Sequence, residues 1–112
     1  MSLLPEEWIS SIQLWARAIP ELKQVFLFGS YARGEQGAAS DLDLAAIIDV
    51  GRKGDDDDLV VWMFSHDDWA TALQSRLPVS LDLQLGNPEL SSDIVGPAVL
   101  AYGVLLYERE PT

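Results

Sequence analysis

Two aspartates, Asp41 and Asp43, stand with one residue between them at the head of an apolar run, and a third, Asp82, alternates with leucines in Leu81-Asp82-Leu83. In a strand, residues i and i+2 share a face, with Cα atoms roughly 6.6–6.8 Å apart. Carboxylates placed so can converge on a pair of divalent cations roughly 3.5–4 Å apart, the arrangement that in-line phosphoryl chemistry uses. Upstream, the apolar run Val25-Phe26-Leu27-Phe28 stops at Gly29-Ser30. A strand that closes there and opens a short helical turn presents backbone N–H groups to an anion. Glycine lets that anion approach the backbone closely. A phosphate cradle beside paired carboxylates is machinery for a metal-bound nucleotide.

The stretch 29–43 reads GSYARGEQGAASDLD. Gly29-Ser30-x-Ala32-Arg33-Gly34, a spacer, then Ser40-Asp41-x-Asp43 resembles the signature of the DNA polymerase β-type nucleotidyltransferases, specifically their minimal single-domain members. A chance match to the whole pattern is on the order of one in 10⁹ per position. The resemblance implies an α+β nucleotidyltransferase fold, a small mixed sheet with core strand order one-two-three flanked by helices, in a single domain spanning residues 1–112. It also implies transfer of a nucleoside monophosphate, here AMP, from ATP or another NTP to a hydroxyl, with release of pyrophosphate.

Site residues follow from the same resemblance. Gly29 and Ser30 would hold the β/γ-phosphates, with Arg33 and Ser40 completing the nucleotide site. Asp41 and Asp43 would hold two Mg²⁺ ions, which favour oxygen ligands and substrate phosphates. Asp82 would bind the ion nearer the acceptor and help deprotonate the attacking hydroxyl. Taken alone, Asp82 reads as a solvent-facing strand residue. Arg33 has three readings: a phosphate ligand, the partner of a nearby carboxylate, or a residue facing another protein. Minimal members of the family work beside HEPN-domain proteins as toxin–antitoxin pairs, the transferase adding AMP to its partner. A second reading, from another class, is a non-catalytic module that neutralises such a partner by surface contact alone. Three facing carboxylates favour the enzyme, since a pure binder has no use for them.

Composition narrows the partners. With seven Lys and Arg against eighteen Asp and Glu, the net charge is −11. Nucleic-acid binding draws most of its affinity from basic residues neutralising phosphates, so stand-alone DNA or RNA binding is not expected. A chain of 112 residues buries roughly 65% of its unfolded surface, enough for one modest core. No acceptor-binding domain is expected within these residues. The absence of cysteine removes disulfides and thiolate metal sites and fits a reducing cytoplasm. The sequence contains neither an export signal nor an apolar run approaching ~18 residues, so membrane insertion is not expected. The run Asp55 to Asp58 suits a solvated loop or a helix start. Calcium would need ligands spread through a loop with a glycine turn.

The elements that must position these residues are legible in order. Residues 5–18 read as a helix: Pro5 suits the first position, Glu6 and Glu7 complement the dipole, and Trp8, Ile12, Trp15 and Ile19 mark the buried stripe. Residues 24–28 form a central strand, 34–40 a glycine-containing loop that ligand should order, and 41–48 a second strand. Residues 49–58 are a polar connection. From Leu59, a strand and a helix compete. The steps Leu59, Met63, His66, Ala70, Leu73, Leu77 favour one helix ending at Pro78. His66, with no cysteine or second histidine beside it, reads as structural. Residues 79–85 alternate as a third strand, with Leu81, Leu83 and Leu85 on one face and Ser80, Asp82 and Gln84 on the other. Asn87-Pro88 marks a turn, 91–102 a last helix, and 104–107 a short edge strand.

Overall fold

Two nearly apolar strands, β1 (Leu22–Phe28) and β2 (Leu42–Ile48), form the middle of a four-stranded sheet in a computed structural model of the chain. The described residues are 4–35, 37, 40–49, 55–87 and 103–110, with the backbone alone described for 55–57. The expected helix over 91–102 and Pro88 lie outside them. The remaining elements are α1 (Glu6–Arg17), α2 (Gly29–Arg33), α3 (Asp55–Gln74), β3 (Leu81–Leu85) and β4 (Val104–Glu108). The sheet order is β3-β2-β1-β4, so the expected core order one-two-three holds and β4 adds an edge.

β1 runs antiparallel to β2 and to β4, whereas β2 and β3 are parallel. Parallel neighbours need a crossover, and α3 provides it. One face of the sheet is the core: Val25 and Leu27 from β1, Leu42, Leu44, Ala46 and Ile48 from β2, and Leu83 and Leu85 from β3 are all buried against Ile12, Trp15 and Ala16 of α1 and Leu73 of α3. A register shift between Leu22 and Gln24 inserts one extra residue, which brings Leu22 onto the same face. The opposite face carries Phe28 and Ala45, with Phe26 packed against them, and it also carries the polar residues of β2 and β3.

The helices are tied to this frame by specific bonds. Trp15 donates its indole N–H to the Trp69 carbonyl, 3.0 Å away, joining α1 to α3. Gln74, at the end of α3, donates to the Val79 carbonyl (2.7 Å) and accepts from the Leu81 N–H (2.8 Å), setting where β3 begins. No helix among the described residues is long and apolar enough to cross a membrane.

α3 corrects one expectation. It begins at Asp55, the first residue of the acidic run, and ends at Gln74 rather than running to Pro78. Its inner face is also rotated. Leu59, Trp62, Trp69 and Ala70 pack against the core, but Met63 is 72% exposed. The two indoles, whose rings meet edge-on at 6.4 Å, bury more area than a thioether and turn the helix toward themselves.

Beyond β3, Asn87 acts as a strand residue through its side chain. Its amide accepts from the Ile48 N–H (2.8 Å) and donates to the Ile48 carbonyl (2.9 Å), continuing the ladder beside β2. Asn87→Ala is expected to strand both half-buried backbone groups, at a cost of about 1–3 kcal/mol. Chemical denaturation would measure it, and an unchanged midpoint would show that water replaces the amide.

Candidate active site

Two glycines in the left-handed region bound α2: Gly29 at φ 72°, where β1 gives way to it, and Gly34 at φ 71°, just past its end. Gly34 ends α2: its N–H reaches the Tyr31 carbonyl (3.3 Å), and the Glu35 N–H reaches the Ser30 carbonyl (2.9 Å). These two bonds form a Schellman closure. Tyr31 is buried in the main core and lies beside Trp8, ring centroids 6.2 Å apart, which anchors the short helix. Gly29 has a second duty. A Cβ placed on it would lie 2.9 Å from Cγ and 3.1 Å from Cβ of Asp43, and closer still to a carboxylate oxygen. The missing side chain is thus the space in which the Asp43 carboxylate sits.

Asp43 occupies the centre of the site because of strand register. It pairs with Phe28 across β1 and with Asp82 across β3. Paired residues on neighbouring strands project to the same side, about 4.8 Å apart, so the two carboxylates face each other. Partial burial is the main cause that pushes the Asp43 carboxyl up from 3.8 to about 6. The Asp82 charge, a hydrogen bond with Asp82 and the Asp41 charge add to the rise, and the Arg33 guanidinium opposes it. Leu83 and Leu85 point into the core, so the alternation read from β3 puts Asp82 on the outer, polar face.

Asp41 lies just ahead of β2 and is exposed. Among the described residues, no three His, Cys, Asp or Glu side chains are gathered in a way that could hold a metal ion. The close pair is Asp43–Asp82, with Asp41 near enough for its charge to act on Asp43. This donor set still fits Mg²⁺, which is usually held by one or two carboxylates while substrate phosphates and water complete the shell. Two facing carboxylates repel each other until a cation or a proton joins them.

Of the expected nucleotide residues, Gly29 and Ser30 open α2 beside Asp43. Arg33 pairs with Glu35, Nε to Oε2 at 3.1 Å, both side chains being well exposed. The Ser40 hydroxyl accepts from the Gly37 N–H (2.9 Å), and the Ser40 N–H returns to the Gly37 carbonyl (3.1 Å), just ahead of Asp41. His66 stands apart on α3. It packs on Trp62 with ring centroids 4.7 Å apart and bonds Asp67 at 3.0 Å. One residue of the site was not singled out from sequence: Gln84 donates to Asp82 Oδ1 at 2.7 Å. The alternation of β3 places it on the face of Asp82, which was the available signal.

Residues 11–112 match the family described as Polymerase beta, Nucleotidyltransferase. No match is found among curated proteins. Among solved structures, the chain is similar to a toxin–antitoxin crystal structure with AMP-PNP: 26% identity over 91% of this chain and 74% of the other, TM-score 0.65. It is also similar to the MntA–HepT toxin–antitoxin structure, with 23% identity, 94% and 74% coverage, and TM-score 0.60. A third is the tri-AMPylated HEPN toxin of Shewanella oneidensis in complex with MNT antitoxin, with 23% identity, 93% and 72% coverage, and TM-score 0.62. At 23% identity the last two speak for the fold alone.

Proposed function

The chain belongs to the polymerase β nucleotidyltransferase family, and from that membership we propose that it transfers AMP from ATP to a hydroxyl on a partner protein of the HEPN type. The observation that carries the proposal is the Asp43–Asp82 register pair with Gly29 opened against Asp43. A toxin–antitoxin relative with AMP-PNP, an ATP analogue, supports an adenine nucleotide and a protein partner.

In this reading Gly29 and Ser30 direct backbone N–H groups toward the β- and γ-phosphates, while Arg33 and Ser40 flank them. Asp43 and Asp82, with Asp41 at the rim, would hold Mg²⁺. Bound there, the ion would neutralise phosphate charge and lower the pKa of the attacking hydroxyl. Asp82 takes the proton as the hydroxyl oxygen bonds to the α-phosphorus. The bond to the bridging oxygen of the β-phosphate breaks, and pyrophosphate leaves. The chain's own contribution is orientation and charge, and the partner brings the acceptor within reach. A chain with net charge −11 favours a partner presenting a basic face.

The test uses ATP labelled at the α-phosphate, Mg²⁺, and the full chain with and without its partner. Label is expected on the partner, with little transfer by the chain alone, and Asp41→Asn is expected to abolish it. Tight binding with no transfer under any nucleotide, unchanged by Asp41→Asn, would leave the non-catalytic module as the function.

A further inference from the structure

The Asp82 carboxylate is bracketed on two sides: Gln84 on its own strand donates to Oδ1 at 2.7 Å, and Asp43 on β2 meets it across the parallel ladder. We propose that Gln84 is a positioning residue that holds the Asp82 carboxylate in the orientation facing Asp43, so that the pair is preset for a divalent cation. The inference rests on the reading that Asp43 and Asp82 hold Mg²⁺.

Three features of the strand support it. Gln84 is two residues from Asp82, so both project to the same side of β3, and its amide is long enough to reach back along the strand. Its register partner is Ala45, a buried residue with a single methyl, which leaves room for the glutamine stem. The next residue on that face is Gly86, which presents no side chain toward Ala45 and Ile47. Gln84 is therefore half-buried between small neighbours, with its amide on the carboxylate. Rotation about the last torsion of an aspartate is otherwise broad. A hydrogen bond that fixes the carboxylate removes that freedom before ligand arrives, and loss of such a supporting bond typically lowers metal affinity by about 10–100-fold.

The experiment is a titration of the full chain with Mn²⁺ alone, the free ion followed by electron paramagnetic resonance. Gln84→Met keeps the length of the side chain and removes the donor. It is expected to weaken Mn²⁺ binding by about tenfold or more, with the thermal midpoint unchanged. In an Asp82→Asn background, Gln84→Met is expected to add no further loss, because its effect passes through Asp82. A packing role would instead lower the midpoint and weaken binding equally in both backgrounds, which overturns the proposal. Wild-type affinity in Gln84→Met, alongside a loss in Asp82→Asn, overturns the role of Gln84 and leaves the metal reading standing. No Mn²⁺ binding by the wild type overturns both.

Discussion

Asp43→Asn is expected to lower transfer of labelled AMP by roughly three orders of magnitude, since charge stabilisation by a bound metal contributes several kcal/mol to such a barrier. The same variant is expected to melt at or a few degrees above the wild type at pH 7. Asp43 faces the polar side of the sheet, against Gly29 and Asp82, so Asn opens no cavity in the core. The folded-state pKa is about 6 against an ordinary 3.8, burial being the first cause and the Asp82 charge the next. Below pH ~3.8 the carboxyl is protonated whether the chain is folded or not. Its contribution to stability is fully present there and is lost as pH rises through about 6. Asn mimics the neutral carboxyl and escapes that loss. The melting difference between variant and wild type should therefore grow from pH 4 to pH 7, by a modest amount because the group is half open to solvent. Circular dichroism melts at the two pH values check it. An Asn variant melting several degrees below the wild type at pH 7 would place Asp43 in a structural role instead.

The second large effect belongs to Gly29→Ala. Two costs fall on it together. The backbone at φ 72° disfavours any side chain, by about 1–3 kcal/mol. The new methyl would also meet Asp43 at 2.9 Å from Cγ, a distance that forces the carboxylate to move. Transfer is expected to fall at least about 100-fold, as when a single transition-state contact is lost. Gly34→Ala is the control. Its φ of 71° is nearly the same, but nothing lies within 4 Å of the added carbon, so it should cost the same backbone strain of about 1–3 kcal/mol and leave the Asp43–Asp82 pair in place. If the two alanine variants transfer equally well, the contact between Gly29 and Asp43 does not govern the site.

Much of this arrangement was legible in the chain. The helical spacing of Trp8, Ile12, Trp15 and Ile19 placed α1 and its buried stripe, with Ile12 and Trp15 in the core as expected. The alternation of Leu81, Asp82 and Leu83 put Asp82 opposite the leucines, because a strand has a period of two and a buried face selects its register. The signature around Gly29 and Asp43 identified the family because its residue types and spacing are specific. These are local properties, carried by short windows of sequence.

Other features exist only once distant segments meet. Met63 and Trp62 are adjacent and both apolar, and the steps of four and three put Met63 on the inner face, which the structure overturns. Contact with Trp69 and the core decided for Trp62. Asn87 read as a turn residue, and its role as a surrogate for a strand required Ile48, 39 positions away, to lie beside it. Gly29 carried a reason to be glycine in its own turn, but the stronger reason is the Asp43 carboxylate, delivered by the antiparallel pairing of β1 with β2. The three aspartates were visible as types and spacings. That Asp43 and Asp82 form the close pair, with Asp41 at the rim, was set by the β2–β3 register and by where β2 begins. A sequence specifies which faces are apolar, but the distance between two carboxylates on separate strands depends on how those strands slide, and only the packed sheet settles that.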